Sequence, residues 1–146
     1  VAENFLQVKE KVQRWLTDTA GTVDLAPNGR LGFNYESTHL VVDVIDQDDR
    51  VLVKVAAPIA FGVSTSPELF EWLARHCGDH FFGSFEIFDD DDGGTVTFGI
   101  YYTLLGDYLD PAELSAAVSA VAGAADELDD DVTKQFGGRR YTDLGD

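Results

Sequence analysis

Between Leu31 and Ala56 three β-type stretches follow one another with no helical stretch between them. That run constrains the fold more than any other feature. Strands that come in succession, joined by short polar turns, fold back antiparallel and do not build the alternating layers of a parallel sheet. Leu31, Phe33 and Tyr35 alternate with Gly32 and Asn34, and residues 38–46 are rich in Val and Ile. Gln47-Asp48-Asp49-Arg50 is the turn of a hairpin, after which Val51, Val53 and Val55 alternate with Leu52, Lys54 and Ala56. Val41, Val42, Val44 and Ile45 make the second strand apolar on both faces in part, which suits the interior of a sheet.

Helical periodicity frames this run. Phe5, Val8, Val12, Trp15 and Leu16 recur at three- and four-residue spacing and stop at Gly21. Ala26-Pro27-Asn28-Gly29 has the chemistry of a turn. Ser66 is a natural N-cap with Pro67 at the first helical position, and Leu69, Phe70, Leu73 and Cys77 form the apolar stripe of a second helix that ends at Gly78. Strands over 81–88 and 95–104 then flank the turn 89–94. Asp110, Pro111 and Glu113 open a third helix. Its seam of Leu114, Val118, Val121, Ala125, Leu128 and Val132 steps by four and three over some 26 residues, about 39 Å. The expected order is α-β-β-β-α-β-β-α: a single α+β domain with a five-stranded antiparallel sheet and helices packed mainly on one face. The domain is expected over residues 1–136, followed by a loose polar tail over 137–146.

The 146 residues are 45% hydrophobic, enough for a core. Cys77 is the only cysteine, so no internal disulfide can form and a reducing, cytoplasmic setting is expected. No apolar run reaches membrane-spanning length, and the opening Val-Ala-Glu-Asn-Phe-Leu lacks the pattern of a signal peptide. Ten basic residues stand against 27 acidic ones, a net charge of −17. Such a surface repels phosphate, so neither nucleic acid nor an anionic membrane is expected as a partner. The 58 residues 76–133 carry 14 acidic side chains and no Lys or Arg. They either solubilise the surface or attract a basic or disordered protein segment.

Few motifs carry chemistry. Asp89 to Asp92 cannot be read as an EF-hand loop, because neither Gly93 nor Gly94 in the sixth position gives an acidic first and twelfth residue. His76, Cys77 and His80 could form a metal or thiol centre if they lay on one helix face. Gly78 interrupts that face, and the only other histidine is His39. No cofactor and no catalytic residue is expected, although a small metal-binding or thiol enzyme built on His76, Cys77 and His80 is kept as an alternative. An acidic regulatory subunit of an oligomer is another.

Aromatic side chains fall on both faces of the expected sheet. Phe33, Tyr35, Phe82, Phe98 and Tyr101 are candidates for a peptide-binding surface where helices do not cover them. Phe70 and Trp72 sit at the flanks of the second helix's stripe. They are expected to bury against a second copy in a homodimer, or else under a loop spanning 58–65.

Several stretches have a characteristic wording: Ser-Pro-Glu-Leu-Phe-Glu-Trp-Leu-Ala-Arg at 66–75, Gly-Ser-Phe-Glu-Ile at 83–87 and Leu-Asp-Pro-Ala-Glu-Leu at 109–114. Two more are Ala-Asp-Glu-Leu-Asp-Asp-Asp-Val at 125–132 and Phe-Gly-Gly-Arg-Arg at 136–140. With the order of elements, they make the sequence resemble actinobacterial-type proteins of type III secretion chaperone-like fold, related to YbjN. The resemblance implies a compact α+β domain that holds peptide segments of partner proteins, often as a homodimer, without a cofactor. The expected function is thus a non-enzymatic protein- or peptide-binding module that holds a client segment on apolar surface within an acidic shell.

Overall fold

The computed structural model describes residues 4–145; the N-terminal reading at residues 1–3 and the last residue of the tail lie outside them. Helix α1 spans Phe5–Ala20 and ends at Gly21, whose N–H donates to the Thr17 carbonyl at 2.9 Å. Strands β1 (Asp24–Leu25), β2 (Leu31–Tyr35), β3 (Thr38–Asp46) and β4 (Val51–Ser64) follow. Then come α2 (Pro67–His76), β5 (Ser84–Asp89), β6 (Thr95–Leu105) and α3 (Pro111–Phe136), with a short 3-10 turn at Tyr141–Asp143. The caps are those the sequence marks: Ser66 accepts from the Leu69 N–H, and Asp110 from the Glu113 N–H.

All pairings are antiparallel, and the strand order is β1-β2-β3-β4-β6-β5. The sheet has six strands where five are expected. β1 is too short to show a period. It forms because the turn at 26–29 folds it onto β2, with the Ala26 N–H donating to the Arg30 carbonyl at 2.8 Å.

The alternation in β4 sorts the two faces. Val51, Val53, Val55 and Ala57 are buried and face the helices, while Leu52, Lys54, Ala56 and Pro58 face the other way. From α1, Val8, Val12 and Leu16 enter the core, and from α2, Leu69 and Leu73. The long seam of α3 buries Leu114, Val118, Val121, Ala125 and Val132 against the same side. Helices thus cover one face of the sheet.

Three expectations are corrected. The segment 58–65 is no loop: β4 runs on to Ser64, and Ile59 and Val63 are core residues. Pro58 is tolerated in the strand because the pairing with β6 shifts register beside it, a bulge at which the Pro58 carbonyl accepts from the Thr38 hydroxyl. Its partner is Gly99, where a Cβ would stand 2.5 Å from the Ala57 carbonyl oxygen.

The segment 81–83 is not part of β5, which begins at Ser84. Phe81, which the alternation places in a strand, is fully exposed.

The described tail is tied down. Gly137 and Gly138, at φ 82° and 85°, turn the chain back from α3. Arg139 and Phe61 then exchange backbone hydrogen bonds of 2.8 and 2.9 Å. The Arg140 guanidinium grips both oxygens of Asp143 at 3.0 Å and reaches Asp130 at 2.8 Å. These are backbone pairings and ion pairs with distant elements, which the local polarity of the segment does not reveal.

Candidate functional site

The sheet face away from the helices is concave at its centre, and a groove of about 480 Å³ lies there. Small residues form its floor: Ala56 and Pro58 of β4, Val41 of β3 and Gly99 of β6. They meet because β4 lies between β3 and β6, with Val41 opposite Ala56 and Gly99 opposite Pro58. Phe61 and Tyr141 stand on one side and Phe88 on the other. Tyr141 is held by stacking on His39, 5.0 Å between ring centroids. His39 Nδ1 donates to the Asn34 side-chain oxygen at 2.8 Å. Burial pushes the His39 imidazole below its ordinary pKa, with Asp24 pulling the other way.

The rim is charged and balanced. Arg30 pairs with Asp43 at 3.3 Å, and Lys54 with Glu86 at 2.8 Å. The Lys54 ammonium also lies 4.8 Å from the centre of the Tyr101 ring. Both carboxylates of the rim are engaged by cations. The groove therefore offers apolar surface and oriented charge, the attributes of a binding site.

The candidate aromatics do not gather into one surface. Tyr101 is on the groove's face of the sheet, beneath Lys54. Phe98 is wholly buried on the helix side, so it exposes no side-chain surface to a peptide. Phe33 packs against the core from the same side. Tyr35 is exposed at the end of β2. Phe82 precedes β5 and sets its ring edge-on to Tyr102 at 5.3 Å. Strand parity identifies residues that share a face but says nothing of which face the helices take.

Trp72 is covered within the chain. Its ring lies 5.5 Å from Phe85, 6.0 Å from Phe136, 6.5 Å from Phe98 and 4.6 Å from His76. Burial of Trp72 therefore needs neither a second copy nor a loop over 58–65. Phe70 stays half exposed at 47%.

His76, Cys77 and His80 point to different partners. His76 Nδ1 is 2.7 Å from Asp79, the exposed Cys77 thiol donates to the Ala74 carbonyl, and His80 meets the Phe85 ring edge-on. Among the described residues no three His, Cys, Asp or Glu side chains are grouped to hold a metal ion. Asp90 and Asp92 bind their own turn, accepting from Thr95, Thr97 and the Gly94 N–H.

The groove itself escapes a reading based on aromatics. Its one sequence signal is the run of small residues at alternate positions of β4, Ala56 and Pro58, where an interior strand would otherwise carry bulk.

Comparison with known proteins yields one family. The family model TY-Chap1, "T3SS (YopN, CesT) and YbjN peptide-binding chaperone 1", matches residues 7–144. No curated protein matches the chain by sequence. Among solved structures, a chain of the ExsC–ExsE complex superposes with a TM-score of 0.59 at 22% identity, over 84% of this chain and 93% of that one. YbjN from E. coli gives 0.60 at 13%, over 88% and 93%. The Yersinia pestis type III secretion chaperone SycH, solved with a stable fragment of YscM2, gives 0.56 at 10%, over 83% and 98%. At these identities the superpositions describe a shared fold. Among the described residues no helix is long and apolar enough to cross a membrane.

Proposed function

Because this chain belongs to the T3SS (YopN, CesT) and YbjN peptide-binding chaperone 1 family, a non-enzymatic one, we propose that it holds an extended segment of a client protein in the groove on the bare face of its sheet. One observation carries this reading. The helices cover a single face, and the other is a groove with a small apolar floor, aromatic sides and a rim of two ion pairs. Ala56 and Gly99 leave room for a client's side chain between Phe61, Tyr141 and Phe88. Asp43 and Glu86 are placed to exchange their own cations for a client's. The net charge of −17 favours a client with basic flanks. We place this activity in the cytoplasm, where a lone exposed thiol such as Cys77 stays reduced.

A second seat is the free edge of β5, which contains neither Lys nor Pro to blunt it and exposes Ile87 and Phe88. One experiment separates the two. The client is identified by affinity capture and mass spectrometry, and its binding segment is then titrated against wild-type, Ala56→Arg and Ile87→Lys proteins. The groove reading expects Ala56→Arg to weaken binding at least tenfold at unchanged melting temperature, and Ile87→Lys to leave it near wild type. The reverse pattern moves the client to the edge. Equal affinity in all three proteins sinks both seats.

A further inference from the structure

Ser37 lies in the turn between β2 and β3, just after Glu36, whose φ of 47° bends the chain back. The Ser37 N–H donates to Asp126 Oδ1 at 3.0 Å. Its hydroxyl oxygen lies 2.5 Å from that same oxygen and in hydrogen-bond contact with Oδ2 of Asp129. Asp126 and Asp129 are three residues apart on α3, so both reach one side of the helix. A serine hydroxyl carries one hydrogen and can donate it to one carboxylate only. Were both acids ionised, one of the two close O···O contacts would contain no hydrogen and would repel. Asp126 also takes the Ser37 N–H and is partly open to solvent, whereas Asp129 is 2% exposed.

We infer that Asp129 holds a proton in the folded protein and donates it to Ser37 Oγ, which passes its own hydrogen to the Asp126 carboxylate. The three side chains thereby form a one-proton latch that ties the β2–β3 turn to α3 and loosens as pH rises. The latch stands independently of what the groove binds. The charges around Asp129 agree with it. Asp126 and Asp130 on α3 favour the proton. Arg140 of the tail opposes it, but its guanidinium is engaged by Asp130 and Asp143. Glu36, in the turn itself, is exposed. Burial pushes the Asp129 carboxyl above its ordinary value against the pull of Ser37, while the Ser37 hydroxyl and N–H hold Asp126 below its own. The turn leads directly into Thr38 and His39, so the latch also anchors the strand end on which Tyr141 stacks.

Denaturant unfolding of full-length wild-type, Asp129→Asn and Asp126→Asn proteins from pH 4 to 8 tests this. The folded state holds a proton that the unfolded chain releases near pH 3.9, so wild-type stability falls as pH rises until Asp129 ionises. The wild-type unfolding constant, relative to Asp129→Asn, is expected to rise by up to about tenfold per pH unit in that window. The asparagine amide donates to Ser37 at every pH. Asp126→Asn frees the Ser37 hydrogen for an ionised Asp129 and shrinks the rise. A ratio that stays constant from pH 4 to 8 overturns the latch. So does a full rise that persists in Asp126→Asn, because burial alone would then account for it. Should Asp129→Asn fail to fold, a 13C-detected titration of the wild-type Asp129 carboxyl decides. A midpoint above the ordinary carboxylate range that falls in Asp126→Asn supports the latch, whereas one at or below that range, or one left unchanged by Asp126→Asn, overturns it.

Discussion

Trp72 shows how far one residue's role depends on its neighbours. Its position at the flank of the α2 stripe is legible in the sequence, and so is the need to bury it. The rings that cover it come from β5, β6 and α3, between 13 and 64 residues further along the chain. Trp72→Ala should therefore destabilise the fold by about 3 kcal/mol, the lower end for truncating a packed aromatic, because Trp72 is only partly buried. Urea unfolding checks this, and a loss below 1 kcal/mol would contradict the intramolecular packing. His39 is a second case. Its folded pKa is depressed, so the unfolded chain takes up the proton first. Its contribution to stability is complete above the unfolded value of about 6.5 and is lost as pH falls through the folded value. An NMR titration should find its midpoint below 6.5. In Tyr141→Ala, which uncovers the ring, the midpoint should move back toward 6.5.

At the scale of elements, the helices and the two hairpins follow from local chemistry. The caps at Ser66 and Asp110 act within three residues, and the seam of α3 is read from its own period. β1 and the tail do not follow in this way. Each is held by backbone partners that a distant element supplies, β2 for the one and Phe61 for the other. The tail turns at Gly138, where a Cβ would stand 2.7 Å from the Phe61 carbonyl oxygen and where φ is +85°. Gly138→Ala should cost about 2 kcal/mol through strain in this left-handed conformation. Hydrogen exchange should show the Phe61 amide losing protection. Unchanged protection at Phe61 would mean that the tail does not depend on this turn.

For the whole molecule, charge and shape act together. Under the proposed function, the charge of a chain with 27 acidic and 10 basic residues would draw in a basic client from a distance, and the groove would decide whether it stays. The association rate of a basic client segment should fall steeply between low and physiological salt, with a much smaller change in the dissociation rate. Stopped-flow measurement at two ionic strengths tests this, and a salt-independent association rate would rule out steering. The order of the helices and of the five longer strands, the antiparallel sheet, the packing of helices mainly on one face and the family could all be read from the sequence, because periodicity, caps and turns are properties of neighbouring residues; β1 could not. The position of the groove could not. Alternation assigns Ala56 and Pro58 to one side of β4 and Val55 and Ala57 to the other. Which side the helices occupy is decided only when α1, α2 and α3 compete for the larger apolar surface. That choice buries Phe98, leaves the small residues bare and brings Ser37 to α3, since it minimises the exposed apolar area of the assembled chain and not of any one segment.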